Sequence, residues 1–190
     1  MNVSDAWRDG SAGDGGGGGA GVRIAACRAE DVAPLDAHLP SGVATSFHAR
    51  RFARQRAGGS TYLVAWADGV PVGNGEIRWG GCAAPEVREA VGECPELNGL
   101  DVRAELRGRG IGTALIHHAE ALAARRGAPR LGLGVDDTGN PRAARLYARL
   151  GYRPALRYLD RWTYVDEDGT THERADPTVF LVRPLGGGTA

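Results

Sequence analysis

One short segment, LDVRAELRGRGIGTALI at residues 100–116, constrains the fold more than any other part of the sequence. An apolar run ends at Val102, and an apolar pattern typical of a helix begins at Ile111. Between them, glycines occupy alternate positions: Gly108, Gly110 and Gly112. The first N–H groups of a helix have no intrahelical partner, and glycines allow an anion to approach them closely. The segment therefore predicts a strand, a phosphate-binding loop and a helix in succession.

The familiar phosphate-loop patterns do not fit this segment. A P-loop requires GxxxxGK[ST], and the segment has no lysine. A dinucleotide-binding turn requires GxGxxG, and Thr113 stands where the third glycine would be. The remaining pattern is R-x-x-G-x-G, formed by Arg107, Gly110 and Gly112. An ordinary helix start in a chain rich in arginine and glycine would give the same letters, so the hexapeptide alone leaves that alternative open.

The composition argues against several classes of protein. The 190 residues carry 23 basic and 23 acidic side chains, so no overall charge favours nucleic acid or an anionic membrane. Three widely spaced cysteines without a CxxC pair indicate reduced thiols rather than a zinc site or a disulfide framework, and we expect no metal. Because neither a signal peptide nor an apolar run of about 20 residues is visible, we expect a soluble, cytoplasmic protein.

The domain organisation is predicted as one α+β domain between two tails. Residues 1–21, with five consecutive glycines, predict a disordered tail, and residues 186–190 a short flexible one. The domain, 22–185, alternates strand and helix patterns, with a hairpin at Asp68-Gly69 and a surface excursion with a helical turn at 81–94. A crossover from strand 96–103 through helix 110–126 to strand 130–135 predicts one parallel pair in a mixed, mostly antiparallel sheet.

A second motif lies one strand beyond the glycine loop. It is NPRAARLYARLGY, a helix pattern with Asn140 as its N-cap and Gly151 at its end. The two motifs together resemble the GCN5-related N-acetyltransferases, whose signatures are [Q/R]-x-x-G-x-[G/A] and N-x-x-A-x-x-x-Y-x-x-x-G-[F/Y]. The resemblance covers roughly residues 22–185. It implies the acyl-CoA N-acyltransferase fold, with helices on both faces of the central sheet.

The resemblance also implies acetyl-CoA as co-substrate and a set of residues that bind it. In the family, backbone amides of the glycine loop bind the pyrophosphate, and the pantetheine arm lies along the preceding strand. The positions carried over are Leu100, Asp101, Val102, Arg107, Gly108, Arg109, Gly110, Ile111, Gly112, Thr113, Asn140 and Arg142. The residues of that strand independently predict a β-bulge near Asn98-Gly99, because its apolar positions break strict alternation.

Acetyl transfer to an amine requires a base for the amine and an acid for the leaving thiol. The resemblance favours Glu96 as the base, at the start of the strand, and Tyr147 as the acid. Glu76 on the adjacent strand is the rival base, and Asp101 is a third acid expected on the other face. Spacing alone would equally make Glu96 a solvated carboxylate. For Tyr147, periodicity alone favours a core residue, and the match to the family motif favours the acid.

The resemblance implies that the acceptor is the primary amine of a small molecule or peptide, bound by residues 28–57, 80–96 and 157–178. Acidic residues before the fourth strand (Glu86, Glu89, Glu93 and Glu96) would suit a cationic amine or form a solvated loop. Trp79 and Trp162 are candidates for lining the pocket. Aminoglycoside, polyamine, amino acid and protein N-terminus stay open, as does a homodimer. The alternative functions are a non-catalytic acyl-CoA-binding module and, more weakly, a nucleic-acid binder using the arginines near 107.

Overall fold

The computed structural model describes residues 21–40, 46–137, 139–166 and 168–186. The predicted tails therefore fall almost entirely outside the described residues. Seven strands form one sheet in the order β1-β2-β3-β4-β5-β7-β6. The strands are β1 (Arg23–Ala26), β2 (Ser60–Ala67), β3 (Val70–Arg78), β4 (Glu96–Val102), β5 (Arg130–Asp136), β6 (Arg153–Val165) and β7 (Thr171–Pro184). The helices are α1 (Val32–His38), α2 (Phe47–Arg56), α3 (Pro85–Val91), α4 (Ile111–Arg125) and α5 (Pro141–Arg149).

The sheet is antiparallel except at its centre, where β4 and β5 run parallel. This confirms the predicted crossover through α4 and the hairpin at Asp68-Gly69, where both turn residues have positive φ. The paired register of β4 and β5 is confined to Glu96 and Gly132, at the start of both strands. Beyond that pair the two strands diverge, which leaves an open seam in the middle of the sheet.

Helices cover both faces of the sheet, as β2 illustrates. Because side chains alternate along a strand, Leu63 and Ala65 join the main core under α4, whereas Tyr62 and Val64 pack in a second cluster against α1 and α2. The main core continues into β5 through Leu131, Leu133 and Val135. One continuous core therefore supports both sides of the seam.

The segment 81–94 differs from its prediction. It does contain a helix, α3, but Cys82, Val87 and Cys94 are buried in a third cluster with Tyr158 and Phe180. The glycines of β5 make room for these aromatic rings, since a Cβ on Gly132 would overlap the Phe180 ring. The excursion is thus part of the core rather than a surface loop. The three cysteines are free and buried.

Candidate functional site

The open seam holds a cleft of about 560 Å³ between β4, the start of α4 and α5. We call it the glycine-loop cleft. All the predicted cofactor-binding residues line it except Arg109, and so does Tyr147. The structure therefore brings together residues from the two sequence motifs, although about 30 residues separate them along the chain.

The loop at one end of this cleft depends on glycine. Gly108 and Gly110 both have φ of 85°, a left-handed conformation that other residues adopt only with strain. Gly110 is also the N-cap of α4, and the first intrahelical bond runs from the Ala114 N–H to its carbonyl. The N–H groups before Ala114 stay without intrahelical partners. A Cβ on Gly112 would contact only Val102 Cγ2, at 3.8 Å, so the space beside this position is open. The arrangement suits an anion.

The strand wall of the cleft contains the predicted bulge. Two residues of β4, Gly99 and Leu100, face a single residue of β3. Past the bulge, the Arg103 N–H donates to the Val72 carbonyl at 3.0 Å. Because hydrogen-bonded and non-hydrogen-bonded pairs alternate in an antiparallel ladder, the N–H and carbonyl of Val102 point away from β3, toward the seam.

Both of these Val102 groups are already bonded within the chain. The Val102 N–H donates to Asp101 Oδ1 at 2.9 Å, and the Val102 carbonyl accepts from Arg107 Nε at 2.9 Å. Arg107 also lies 3.3 Å from Asp101 Oδ1. Arg107 thus ties the glycine loop to β4, and its contact with a phosphate stays a prediction. Asp101, expected on the other face, lines the glycine-loop cleft.

The helix wall of the cleft positions Tyr147. Asn140 caps α5, as predicted, because its Oδ1 accepts from the Ala143 N–H at 3.0 Å. Two turns further on, Tyr147 is 7% exposed, and its hydroxyl has no hydrogen-bond partner among the described residues. Burial raises the pKa of the Tyr147 phenol, so this group keeps its proton at neutral pH.

A second cleft, of about 860 Å³, adjoins the first along β4. We call it the arginine-lined cleft. Of the residues of this strand, Leu100, Asp101 and Val102 line the glycine-loop cleft. Glu96, Asn98 and Gly99 line the arginine-lined cleft. The two clefts therefore meet at the bulge. The three segments expected to bind the acceptor all contribute to the arginine-lined cleft, and Trp162 lines it whereas Trp79 does not.

Glu96 lies at the inner end of the arginine-lined cleft and is 2% exposed. Its Oε1 accepts from Asn98 Nδ2 at 3.2 Å, and its Oε2 lies 3.6 Å from Arg78 Nη1. Oε2 is closed off from solvent without a hydrogen-bond partner among the described residues. Burial raises the pKa of Glu96 above its ordinary value, and the positive charge of Arg78 opposes only part of the rise.

Glu76, the rival base, has a different environment. It is 0% exposed, and its two oxygens accept from Arg54 at 2.7 and 3.1 Å. Arg51 and Arg78 approach it to 4.0 and 3.7 Å. Glu76 does not line the cleft, so its carboxylate anchors arginines rather than facing a ligand. The other predicted acidic residues of 81–94, Glu86, Glu89 and Glu93, are exposed and also do not line it.

Sequence reasoning missed three neighbours of Glu96. Arg78 faces it from β3, while Tyr158 and Asp160 reach the same end of the cleft from β6. The Tyr158 hydroxyl lies 3.8 Å from Cys82 Sγ, and burial raises the pKa of Asp160. The alternation of Tyr158, Asp160 and Trp162 was a visible signal that these side chains share one face.

Metal-ligating side chains do not gather in groups of three or more within the described ranges. Across the same residues, the helices are all too short or too polar to cross a membrane.

Comparisons with known proteins agree with this geometry. A sequence model of the acetyltransferase (GNAT) family matches residues 29–152, whereas no curated protein sequence matches significantly. Among solved structures, an N-acetyltransferase from Staphylococcus aureus Mu50 is similar with a TM-score of 0.65 at 16% identity, over 88% of this chain and 100% of that chain. The ribosomal-protein-S18-alanine N-acetyltransferase from Escherichia coli gives 0.60 at 20% identity, over 89% and 99%. A Salmonella typhimurium acetyltransferase solved with its cofactor acetyl-CoA gives 0.58 at 18% identity, over 89% and 96%.

At these identities the solved structures show a common fold, which confirms the predicted fold class. The family match spans both the glycine loop and the whole second motif. The two motifs, the open seam between β4 and β5 and the family match therefore agree, and the chain belongs to the GNAT family of acetyltransferases.

Proposed function

We propose that this protein transfers the acetyl group of acetyl-CoA directly to a primary amine of a small molecule. One observation carries the proposal: the two clefts meet at the bulge of β4, with Glu96 lining one and Tyr147 lining the other. Direct transfer needs a base and an acid on either side of a single reacting carbonyl, and it needs both substrates to be held close together.

The glycine-loop cleft fits the cofactor. The N–H groups at the start of α4 would hold the pyrophosphate, and Arg142, whose guanidinium would come within 3.0 Å of a Cβ on Gly108, would add charge there. The seam-facing N–H of Val102 would hold the arm, which requires the Asp101 carboxylate to leave that N–H. When bound, acetyl-CoA supplies an acetyl thioester whose C–S bond breaks as the C–N bond to the amine forms.

Two side chains of the protein, Glu96 and Tyr147, accept and donate the protons of the reaction. Glu96 accepts the proton that the substrate ammonium loses. Oε2 is closed off from solvent, so the proton arrives at Oε1, which keeps a second lone pair beside its bond with Asn98. Because Glu96 is buried, we infer that a water bonded to Oε1 carries this proton. The Tyr147 hydroxyl, which no described residue of the chain engages in a hydrogen bond, keeps its proton at neutral pH and donates it to the departing sulfur. The alternative, a non-catalytic acyl-CoA-binding module, would use the same glycine loop but has no need for a buried carboxylate with a raised pKa in the neighbouring cleft.

Two measurements test the proposal. Acetyl-CoA at about 100 times its Kd should stabilise the fold by roughly 2.7 kcal/mol, seen as a rise in melting temperature that a matched concentration of ATP does not give. Glu96→Gln should lower kcat/KM for amine acetylation about 100-fold or more. The exposed Glu89 on α3 provides the matched control, because Glu89→Gln removes the same charge outside both clefts.

The pH profile identifies the base. The working form of Glu96 is ionised, so the rate should fall as the pH drops through a pKa raised above that of an ordinary glutamate. Glu96→Gln should lose this acidic limb while its melting temperature at neutral pH is retained, because burial disfavours the charge that the substitution removes. An unchanged rate and profile in Glu96→Gln would exclude Glu96 as the base, and no response to acetyl-CoA would exclude the proposed function.

A further inference from the structure

More arginines than carboxylates line the arginine-lined cleft. The six arginines come from α2, β3, α3 and β6; they are Arg50, Arg51, Arg54, Arg78, Arg88 and Arg161. The four carboxylates are Glu96, Asp136, Asp160 and Asp176. The distribution of these charges, more than their sum, indicates what the cleft binds.

The inner arginines are balanced within the protein. Arg54 forms a bidentate pair with Glu76, and Arg51 donates to Asn74 Oδ1 at 2.8 Å beside the same carboxylate. Arg78 lies between Glu76 and Glu96, 3.7 and 3.6 Å away, and its positive charge opposes part of the rise that burial causes in the pKa of Asp160. These three arginines are thus balanced by three carboxylates, Glu76, Glu96 and Asp160. Asp176 adds a further negative charge beside Asp160, so no positive charge is left here for a ligand.

The outer arginines are not balanced in this way. Arg50 and Arg88 are exposed and form no ion pair within the described part of the chain. They come from α2 and α3 and therefore approach the cleft from two different helices. Arg161 lies between Asp160 and Trp162 on β6, so its side chain points to the opposite face of that strand. The Arg50 guanidinium carbon lies 5.1 Å above the Phe47 ring, which gives that side chain a defined position.

A guanidinium without a partner is suited to a carboxylate or a phosphate, which it binds through two parallel hydrogen bonds. The cleft thus combines a proton-accepting carboxylate at its inner end with a cationic rim. We propose that the acceptor is a primary amine that also carries a carboxylate or a phosphate, the amine directed toward Glu96 and the anion held by Arg50 and Arg88. This inference rests on the proposed function. A polyamine would place its second ammonium among these arginines and be repelled.

Matched pairs of amines test the inference with the intact protein and acetyl-CoA. Each pair differs in the anionic group: 6-aminohexanoate with n-pentylamine, lysine with cadaverine, and phosphoethanolamine with ethanolamine. We expect the acid-bearing member to have a kcat/KM about tenfold or more above its partner, because hydrogen bonds to charged groups contribute more than neutral ones. The first and third pairs separate a carboxylate from a phosphate, and added salt should reduce the preference.

Variants connect the preference to the rim. Arg50→Gln and Arg88→Gln should lower kcat/KM for the preferred acid-bearing amine about tenfold and affect its acid-free partner much less. Arg56, on the same helix as Arg50 but outside the cleft, provides the control: Arg56→Gln should keep the preference. Melting temperatures of all three variants report folding.

The outcomes separate this inference from the function on which it rests. Two results would overturn the inference while acetyl-CoA still stabilises the protein. In the first, the acid-free amines react as well as their acid-bearing partners, or better. In the second, no amine of the panel reacts. Equal losses for both members of a pair in Arg50→Gln and Arg88→Gln would also overturn it. If acetyl-CoA neither stabilises the protein nor reacts, the proposed function itself fails.

Discussion

The substitution Gly112→Asp should separate the stability of the fold from cofactor binding. A Cβ at this position meets only Val102 Cγ2 at 3.8 Å, so the side chain enters without a clash. Position 112 is in the first turn of α4, where a carboxylate interacts favourably with the helix dipole and aspartate has a better helix propensity than glycine. Together these effects should raise the free energy of unfolding by about 0.5–1 kcal/mol, or about 2 °C in melting temperature.

The same carboxylate should weaken the binding of acetyl-CoA. A unit charge about 4 Å from a phosphate charge costs roughly 4 kcal/mol at an effective dielectric constant near 20, and salt at this exposed loop reduces that value. We therefore expect the Kd, measured by isothermal titration calorimetry, to rise about 100-fold relative to Gly112→Asn, which has the same shape without the charge. Equal affinities for the Asp and Asn variants would refute the placement of a phosphate at the start of α4.

Three further substitutions test other parts of the structure. Tyr147→Phe should lower kcat at least about tenfold and leave the calorimetric Kd for acetyl-CoA unchanged; an unchanged kcat would exclude this hydroxyl as the acid. Glu76→Gln should lower the free energy of unfolding in urea by about 1.5 kcal/mol, because it removes the charge to which the half-exposed Arg54 donates two hydrogen bonds, and a loss below about 0.5 kcal/mol would show that the pair is not structural. Gly132→Ala should lower it by about 1–3 kcal/mol, since its Cβ would overlap the Phe180 ring; a calorimetric melting temperature equal to that of the parent would contradict this packing.

The parts of the fold that sequence reasoning predicted correctly depend on local signals. The turn at Asp68-Gly69, the cap at Asn140 and the bulge at Gly99-Leu100 each follow from residues close together in the chain. The order of strands and the parallel crossover follow from the spacing of such elements. The glycine loop belongs to the same group, because its conformation is determined by the few residues that form it.

What sequence reasoning did not predict depends on contacts between distant segments. Glu76 and Glu96 are both buried glutamates in strands. The arginines of α2 distinguish them, because these arginines pair with Glu76 and not with Glu96, whose Oε2 is left without a hydrogen bond. The burial of 81–94 depends on aromatic rings of β6 and β7 that follow more than 60 residues later. The position of Arg107 likewise depends on a carbonyl that faces the seam only because of the register between β3 and β4.

The seam between β4 and β5 amounts to an edge strand placed inside a sheet. Edge strands usually attract further strands because their backbone groups are unpaired, and proteins recognise extended peptides by adding them as a strand. Under the proposed function, the cofactor arm binds here in the same manner, as a non-protein strand. Backbone hydrogen bonds of this kind are insensitive to side-chain identity, so the outward-facing residues of β4 are free to vary as long as the bulge is kept. Selection between acyl groups then falls to the end of the arm, where the two clefts meet.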